Sequence, residues 1–182
     1  MKKNIVGLVG ETGSGKDTFC QYIKKISKKP VFYFRFSTPL TEALNIFLNE
    51  IKKEDQQWLG IMLRQRFGNN ILGKAIVKKI KSITKGIVIL NGIRYWEEYK
   101  TIKKLGGEVI YITAEQKLRW QRLRTRGEKK DDRVSFKKFL ELERAKTELA
   151  IPRIGKKADF EIENNGTKQD FYQNIQAIFK KF

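Results

Sequence analysis

Gly10-Glu11-Thr12-Gly13-Ser14-Gly15-Lys16 leaves the N-terminal part of this chain little choice of local structure. It follows Ile5-Val6-Gly7-Leu8-Val9, a short apolar run that reads as a buried strand. It precedes residues 16–27, where Phe19, Tyr22, Ile23 and Ile26 recur at helical spacing. The spacing Gly10-x4-Gly15-Lys16 is that of a phosphate-binding loop, and strand–loop–helix is the context such a loop needs. Glycines let the backbone wrap closely enough for its N–H groups to point inward at anionic oxygens. The N-terminus of the following helix adds a partial positive charge, and Lys16 adds a full, mobile one. Gly10, Glu11, Thr12, Gly13, Ser14, Gly15 and Lys16 are therefore expected to hold the phosphates of a nucleotide, with Asp17 and Thr18 beside them.

Strand-like runs alternate with helical patterns along the rest of the chain, which predicts an α/β domain with a parallel sheet covered on both faces. Further strands are expected at Val31–Phe36, Ile87–Leu90, Glu108–Thr113 and Phe160–Ile162, five in all with the first. Helices are expected at 40–51, 54–67, 71–83, 95–105, 116–126, 135–149 and 168–179. Ser37-Thr38-Pro39 reads as a helix start with a capping hydroxyl, Ser135 as an N-cap, and Gly106-Gly107 as a stop. The helical block between the second and third strands is too long for a simple crossover and reads as an inserted cap. The aromatic stripe Phe32, Tyr33, Phe34, Phe36 reads as core rather than as a stacking platform.

A length of 182 residues suits one domain with one core. No apolar run approaches the ~20 residues of a membrane span, and Met1-Lys2-Lys3-Asn4 does not open a signal peptide. The single cysteine, Cys20, has no internal partner for a disulfide, so a cytoplasmic location is expected. Lys+Arg of 39 against Asp+Glu of 20 gives a net charge of +19, a field that attracts anions. The lysines are spread in pairs along the chain, as on a solvated surface, rather than gathered into a nucleic-acid-binding tail. Nucleic acid is thus a possible but not a favoured partner. The absence of histidine leaves the chemistry to carboxylates, Lys, Arg, hydroxyls and backbone.

The position after Lys16 usually carries a hydroxyl that binds Mg²⁺. Here it carries Asp17, with the hydroxyl one place later at Thr18. Both are candidate metal ligands, since carboxylate and hydroxyl oxygens suit this hard ion. Asn91-Gly92-Ile93-Arg94 follows the third strand, at the carboxyl edge where open α/β sheets bind ligands. Asn91 can orient a water or a substrate, and Arg94 can clamp a phosphate. Arg119, Arg122 and Arg126 share a helix face, Arg124 points elsewhere, and a charged stretch from Glu128 to Arg133 follows. That order suits a lid closing over phosphates.

With those residues placed, the chain resembles the nucleoside monophosphate kinase superfamily of P-loop proteins. Gly15-Lys16-Asp17-Thr18, Arg35-Phe36-Ser37-Thr38-Pro39-Leu40 and Leu63-Arg64-Gln65-Arg66-Phe67-Gly68 are similar to phage-type deoxynucleoside monophosphate kinases. Asn91-Gly92-Ile93-Arg94, Arg122-Leu123-Arg124-Thr125-Arg126-Gly127 and the run from Ala158 to Gly166 are similar to dephospho-coenzyme A kinase-like proteins. The resemblance implies a three-layer P-loop NTPase fold with a five-stranded parallel sheet, a helical acceptor-binding insertion at about 37–84 and an Arg-rich lid at about 119–136. It implies ATP and Mg²⁺ as partners. ATP phosphates would lie on Gly13 to Thr18, lid arginines Arg122 and Arg126 would reach them, and Asn165 and Gly166 would lie beside adenine. Arg35, Ser37, Arg64, Asn91 and Arg94 would face the acceptor, with Arg66 less directly placed.

The expected reaction is in-line transfer of the ATP γ-phosphoryl, with Lys16, Arg94, Arg122 and Arg126 as the catalytic cations. A phosphate acceptor needs no general base, which favours a (deoxy)nucleoside monophosphate. A hydroxyl acceptor, as for a dephospho-coenzyme A kinase, would want one, and Asp17 is the carboxylate expected nearest the site. A nucleotide-switched nucleic-acid-binding protein is the alternative outside the enzymes.

Overall fold

The computed structural model describes residues 3–127, 133–145 and 148–181. Five strands form one parallel sheet in the order β2-β3-β1-β4-β5. They are β1 (Lys3–Val9), β2 (Val31–Arg35), β3 (Gly86–Ile93), β4 (Glu108–Thr113) and β5 (Phe160–Glu163). The first strand lies in the centre and the chain builds outward from it, first to β2 and β3 and then to β4 and β5. The direction of winding therefore reverses beside β1, the place where open parallel sheets form ligand crevices.

Alternate residues of the central strands serve two separate cores. Ile5, Val9, Val88, Leu90, Val109 and Tyr111 face one side. There they meet α4 (Ile71–Lys79), α5 (Trp96–Lys104) and α8 (Ile151–Gly155) through Ile76, Ile102 and Ile154. Val6, Leu8, Ile87, Ile89, Ile110 and Ile112 face the other side. They pack on α1 (Lys16–Ile26) and α9 (Lys168–Phe179) through Phe19, Ile23, Phe171 and Ile175. A strand buried on both faces has no polar alternation, which is why these runs are continuously apolar. The expected three-layer α/β architecture with a five-stranded parallel sheet is the one observed. Among the described residues no helix is long and apolar enough to cross a membrane.

The insertion between β2 and β3 is α2 (Thr38–Leu44), α3 (Lys53–Phe67) and α4. The helix expected over 40–51 stops at Leu44, because beyond it Ile46 and Phe47 are 77% and 80% exposed and have nothing to pack on. Ser37 is the N-cap residue, but its hydroxyl does not cap. Thr38 Oγ1 instead accepts the Arg35 N–H at 2.9 Å and closes the corner after β2. The pattern expected as one helix over 135–149 is α7 (Phe136–Glu143), capped by Ser135, followed by the separate α8. α4 also ends earlier than expected, at Lys79.

Two corrections bear on the site. Asn91-Gly92-Ile93 does not follow the third strand but is its last part. Asn91 pairs with Leu8 and Ile93 with Val9, with an irregularity between. The arginines expected to share a lid face on α6 (Gln116–Arg126) divide, because Arg119 is 4% exposed and built into the interior. Of the rest of the expected lid, residues 128–132 lie outside the described residues.

Candidate active site

All five strands run the same way, so their carboxyl ends open on one edge. The loop from Gly10 to Lys16 leaves β1 there, in the middle, with residues from β2–β3 on one side and β4–β5 on the other. Its shape depends on glycine at Gly10, Gly13 and Gly15. Gly13 has φ 83° and Gly15 φ 111°, both in the left-handed region. A Cβ on Gly13 would lie 2.8 Å from the Arg119 carbonyl oxygen, and one on Gly15 would lie 2.5 Å from Asn164 Nδ2. The loop is thus clasped from outside as well as curled within.

Lys16 turns back into the loop. Its ammonium donates to the carbonyl oxygens of Gly10 and Glu11, each at 2.7 Å, and lies 3.4 Å from Ser14 Oγ. Burial, and then the Arg94 charge beside it, bring its pKa down to about 8, against partial support from Asp17, Glu11 and Glu148. Lys16, Glu11, Arg94 and Glu148 are therefore one electrostatic group. The guanidinium of Arg94 donates to Glu148 Oε1, and the Arg94 backbone N–H is held by Glu98 Oε2 at 2.8 Å.

On the β2–β3 side, Asp17 Oδ1 accepts from Tyr33 O–H at 3.1 Å, Arg35 Nη2 at 3.0 Å and Asn91 Nδ2 at 3.3 Å. Asn91 also donates to the Tyr33 hydroxyl oxygen at 2.8 Å, and Arg35 Nε does so at 2.8 Å. Burial works against the Asp17 charge, but Arg35, Tyr33 and Lys16 outweigh it and hold the carboxyl below its ordinary range. Tyr33, read from the sequence as core, thus carries its hydroxyl into the site, while Phe36 is core as expected. Alternation would have given this signal, since Tyr33 and Arg35 share one face of β2.

On the β4–β5 side, Asn164 Nδ2 donates to the Ser14 carbonyl at 2.8 Å, and Arg122 Nη2 donates to Asn164 Oδ1 at 3.3 Å. Arg122 Nη1 is buried without a partner among the described residues. Asn165 Oδ1 accepts the Glu115 N–H at 2.8 Å and ties the start of α6 to the loop after β5. Gly166 follows it, and Arg126 ends α6 one turn beyond Arg122. Sequence reasoning gave Arg119 to the lid and overlooked Asn164. Arg119 Nη1 reaches the Thr12 carbonyl at 3.3 Å and donates to Glu143, while its Nε donates to the Ala114 carbonyl at 2.8 Å.

Two expected acceptor residues stand further back. Arg64 on α3 pairs with the buried Glu98 at 3.0 Å and lies 4.0 Å from the centroid of the Tyr95 ring. It meets Arg94 only through that carboxylate. Ser37 lies at the start of α2, where its carbonyl accepts the N–H groups of Leu40 and Thr41. Arg66 is exposed.

The residues present fit a bound polyphosphate. Close-packed glycines line the cradle, a lysine is poised inside it, and Arg122 offers an unused buried N–H. For a divalent ion, the described hydrogen bonds to Asp17 all fall on Oδ1, and the Thr18 hydroxyl makes none among the described residues. Among those residues no cluster of three or more His, Cys, Asp or Glu could hold a metal alone. Any such ion would rest largely on the nucleotide, as Mg²⁺ commonly does.

A family model described as an AAA domain matches residues 6–147. The chain is 26% identical over 179 residues to a UPF0200 protein of Sulfurisphaera tokodaii, covering 97% of this chain and 96% of that one. It is 26% identical over 183 residues to a UPF0200 protein of Thermococcus onnurineus, covering 97% of each. Among solved structures it is similar to TT1252 from Thermus thermophilus, with TM-score 0.64, 17% identity, and 100% and 99% of the two chains covered. It is also similar to shikimate kinase from Acinetobacter baumannii in complex with shikimate, with TM-score 0.60, 16% identity and 98% and 93% covered. Dephospho-CoA kinase from Campylobacter jejuni gives TM-score 0.52, 19% identity and 98% and 97% covered. At these identities the likeness is one of fold: the chain has the fold of P-loop kinases.

Proposed function

This chain belongs to the AAA domain family, and on that premise we propose that it is an ATP-dependent phosphotransferase acting on a small, nucleotide-like acceptor. The observation that carries the reading is the Lys16 ammonium, held on two carbonyl oxygens of a glycine loop with Arg94 close by. An incoming anion releases that ammonium from the loop and takes its charge.

In this reading the backbone N–H groups of Gly13 to Thr18 hold the ATP phosphates, Arg122 brings its unused N–H to them, and Arg126 closes from the end of α6. Asn165 and Gly166 lie along adenine. Asp17 Oδ2 and the Thr18 hydroxyl are the oxygens offered to Mg²⁺, which when bound neutralises phosphate charge. Arg35, Asn91 and Arg94 face the acceptor. Arg64 acts on Arg94 through Glu98, and Ser37 starts the helix that borders the pocket. Residues 37–84 cover the acceptor, and the end of α6, with Arg122 and Arg126, takes the part of the lid. The acceptor favoured by the sequence is a (deoxy)nucleoside monophosphate, and a hydroxyl-bearing molecule such as dephospho-coenzyme A is its rival.

The test is incubation with labelled ATP, Mg²⁺ and a panel of nucleoside monophosphates, dephospho-coenzyme A and 5′-hydroxyl RNA. Label is expected in a small acceptor. Tight RNA binding with a steep salt dependence, and no small acceptor labelled, would overturn the reading in favour of a nucleic-acid role for the +19 surface.

A second expectation concerns protons. Lys16 is half charged near pH 8 in the free protein, and phosphates beside it raise its pKa towards the ordinary lysine value. ATP binding at pH 8 should therefore take up about half a proton, and affinity should fall as pH rises above 8. Calorimetric titration in two buffers of different ionisation enthalpy measures this. An uptake of zero would place the ammonium away from the phosphates.

A further inference from the structure

The Glu11 side chain is not used by the loop it belongs to. Its backbone carbonyl serves Lys16, but its carboxylate turns to β4, where Oε1 accepts the Tyr111 O–H at 2.6 Å. Tyr111 is itself firmly seated. Its ring lies so close to α8 that a Cβ on Gly155 would sit 2.7 Å from it. Burial, and then the Glu11 carboxylate, push the Tyr111 hydroxyl well above its ordinary value, so it remains a donor and Glu11 the acceptor. The other carboxylate oxygen, Oε2, is shut off from solvent with no hydrogen-bond partner among the described residues. A buried carboxylate oxygen without a donor is costly, so a ligand that supplies one is strongly favoured.

The charges around it select the kind of ligand. Three arginines on the acceptor side already have a carboxylate: Arg35 has Asp17, Arg94 has Glu148 and Arg64 has Glu98. A dianionic phosphate entering here meets cations already paired with carboxylates. A hydroxyl that reaches Glu11 Oε2 meets an acceptor that lacks a hydrogen. Asp17, the base expected from the sequence, is less suited, because its Oδ1 takes three donors and Arg35 stabilises its charge.

Resting on the kinase reading above, we propose that the acceptor presents a hydroxyl group to Glu11 Oε2, and that Glu11 is the general base of the transfer. The acceptor oxygen forms a bond to the γ-phosphorus of ATP as the β–γ bridging P–O bond breaks. The electron pair leaves on the β-phosphate of ADP, and the acceptor's proton passes to Glu11 Oε2. Tyr111 is a positioning residue that sets the carboxylate.

The test begins with calorimetric titration of the wild-type protein with ATP and Mg²⁺. No binding there removes the kinase reading and this proposal with it. Labelled ATP is then offered with two acceptor sets: nucleosides, dephospho-coenzyme A and shikimate as hydroxyls, and nucleoside monophosphates as phosphates. Label is expected on a hydroxyl. Glu11→Gln should lower kcat on it by on the order of 10²-fold with KM held within about threefold, and Glu11→Asp should recover part of the loss. Water is the smallest hydroxyl acceptor, so the slow hydrolysis of ATP should fall in Glu11→Gln as well. Label confined to monophosphates overturns the proposal and leaves the kinase reading intact. So does an unchanged kcat in Glu11→Gln, or ATP binding with neither a hydroxyl labelled nor ATP hydrolysed. If Glu11→Gln does not fold, Tyr111→Phe carries the test: kcat should fall about tenfold with KM held, and an unchanged kcat overturns the proposal.

Discussion

Lys16→Ala is expected to reduce phosphoryl transfer from ATP by on the order of 10³-fold, near the top of the range for removing one preorganised charge from a transition state. Two losses add. The variant lacks the cation that follows the charge of the moving phosphoryl group. It also lacks the strut that joins Gly10 and Glu11 carbonyls inside the loop, leaving both oxygens without that donor. Lys16→Arg should not rescue it, because a planar guanidinium cannot occupy the space of a compact ammonium between two carbonyls 2.7 Å away. Single-turnover assays with labelled ATP measure the effect. A variant that keeps wild-type turnover would remove Lys16 from the chemistry. Thermal melting should change little by comparison, since the strut is local to the loop.

The second large effect concerns stability. Arg119→Ala is expected to cost about 3 kcal/mol, the cost of leaving one partner of a buried ion pair alone. Arg119 is 4% exposed and Glu143 is 16% exposed at the side chain, so the carboxylate left behind has little water to turn to. The Ala114 and Thr12 carbonyls lose a donor as well. In a chain of this size the melting temperature should fall by roughly 6–12 °C. The double variant Arg119→Ala/Glu143→Ala should lose less than the sum of the single losses, because it removes the stranded charge along with its partner. Denaturant titration of the four proteins measures this, and strict additivity would show that the two side chains do not act as a pair. ATP affinity should weaken too, since Arg119 holds the loop at Thr12 and its backbone lies against Gly13.

The sheet was legible in the sequence because parallel strands buried on both faces announce themselves as unbroken apolar runs. β4, α6 and α9 have the bounds that periodicity predicts. The insertion was less legible. Leu40 to Ile51 carries a helical pattern throughout, yet only the part up to Leu44 finds a surface to pack on, and spacing alone does not reveal what lies opposite. α8 was missed because Ile151 and Ile154 mark a helix only when the sheet they cover is known. The phosphate loop was legible residue by residue, since its geometry demands particular residue types. Its supports were not. Arg119, Tyr33, Tyr111 and Asn164 act across separations of 16 to 150 residues, and nothing local distinguishes them from a surface arginine, a core aromatic or a turn asparagine. The same distance explains why four arginines that look free for ligand in the sequence, Arg35, Arg64, Arg94 and Arg119, are each found with a carboxylate.

Asn164 joins the carbonyl of Ser14 to the rest of the molecule across 150 positions of chain. This contact has a consequence in time as well as in space. During synthesis the glycine loop leaves the ribosome 150 residues ahead of Asn164, the outer clasp that follows the fifth strand. The loop therefore waits through that stretch of translation without the geometry it needs, and nucleotide capture should begin only after the fifth strand has docked. A chain arrested before Phe160 should carry every residue of the glycine loop and still fail to hold ATP.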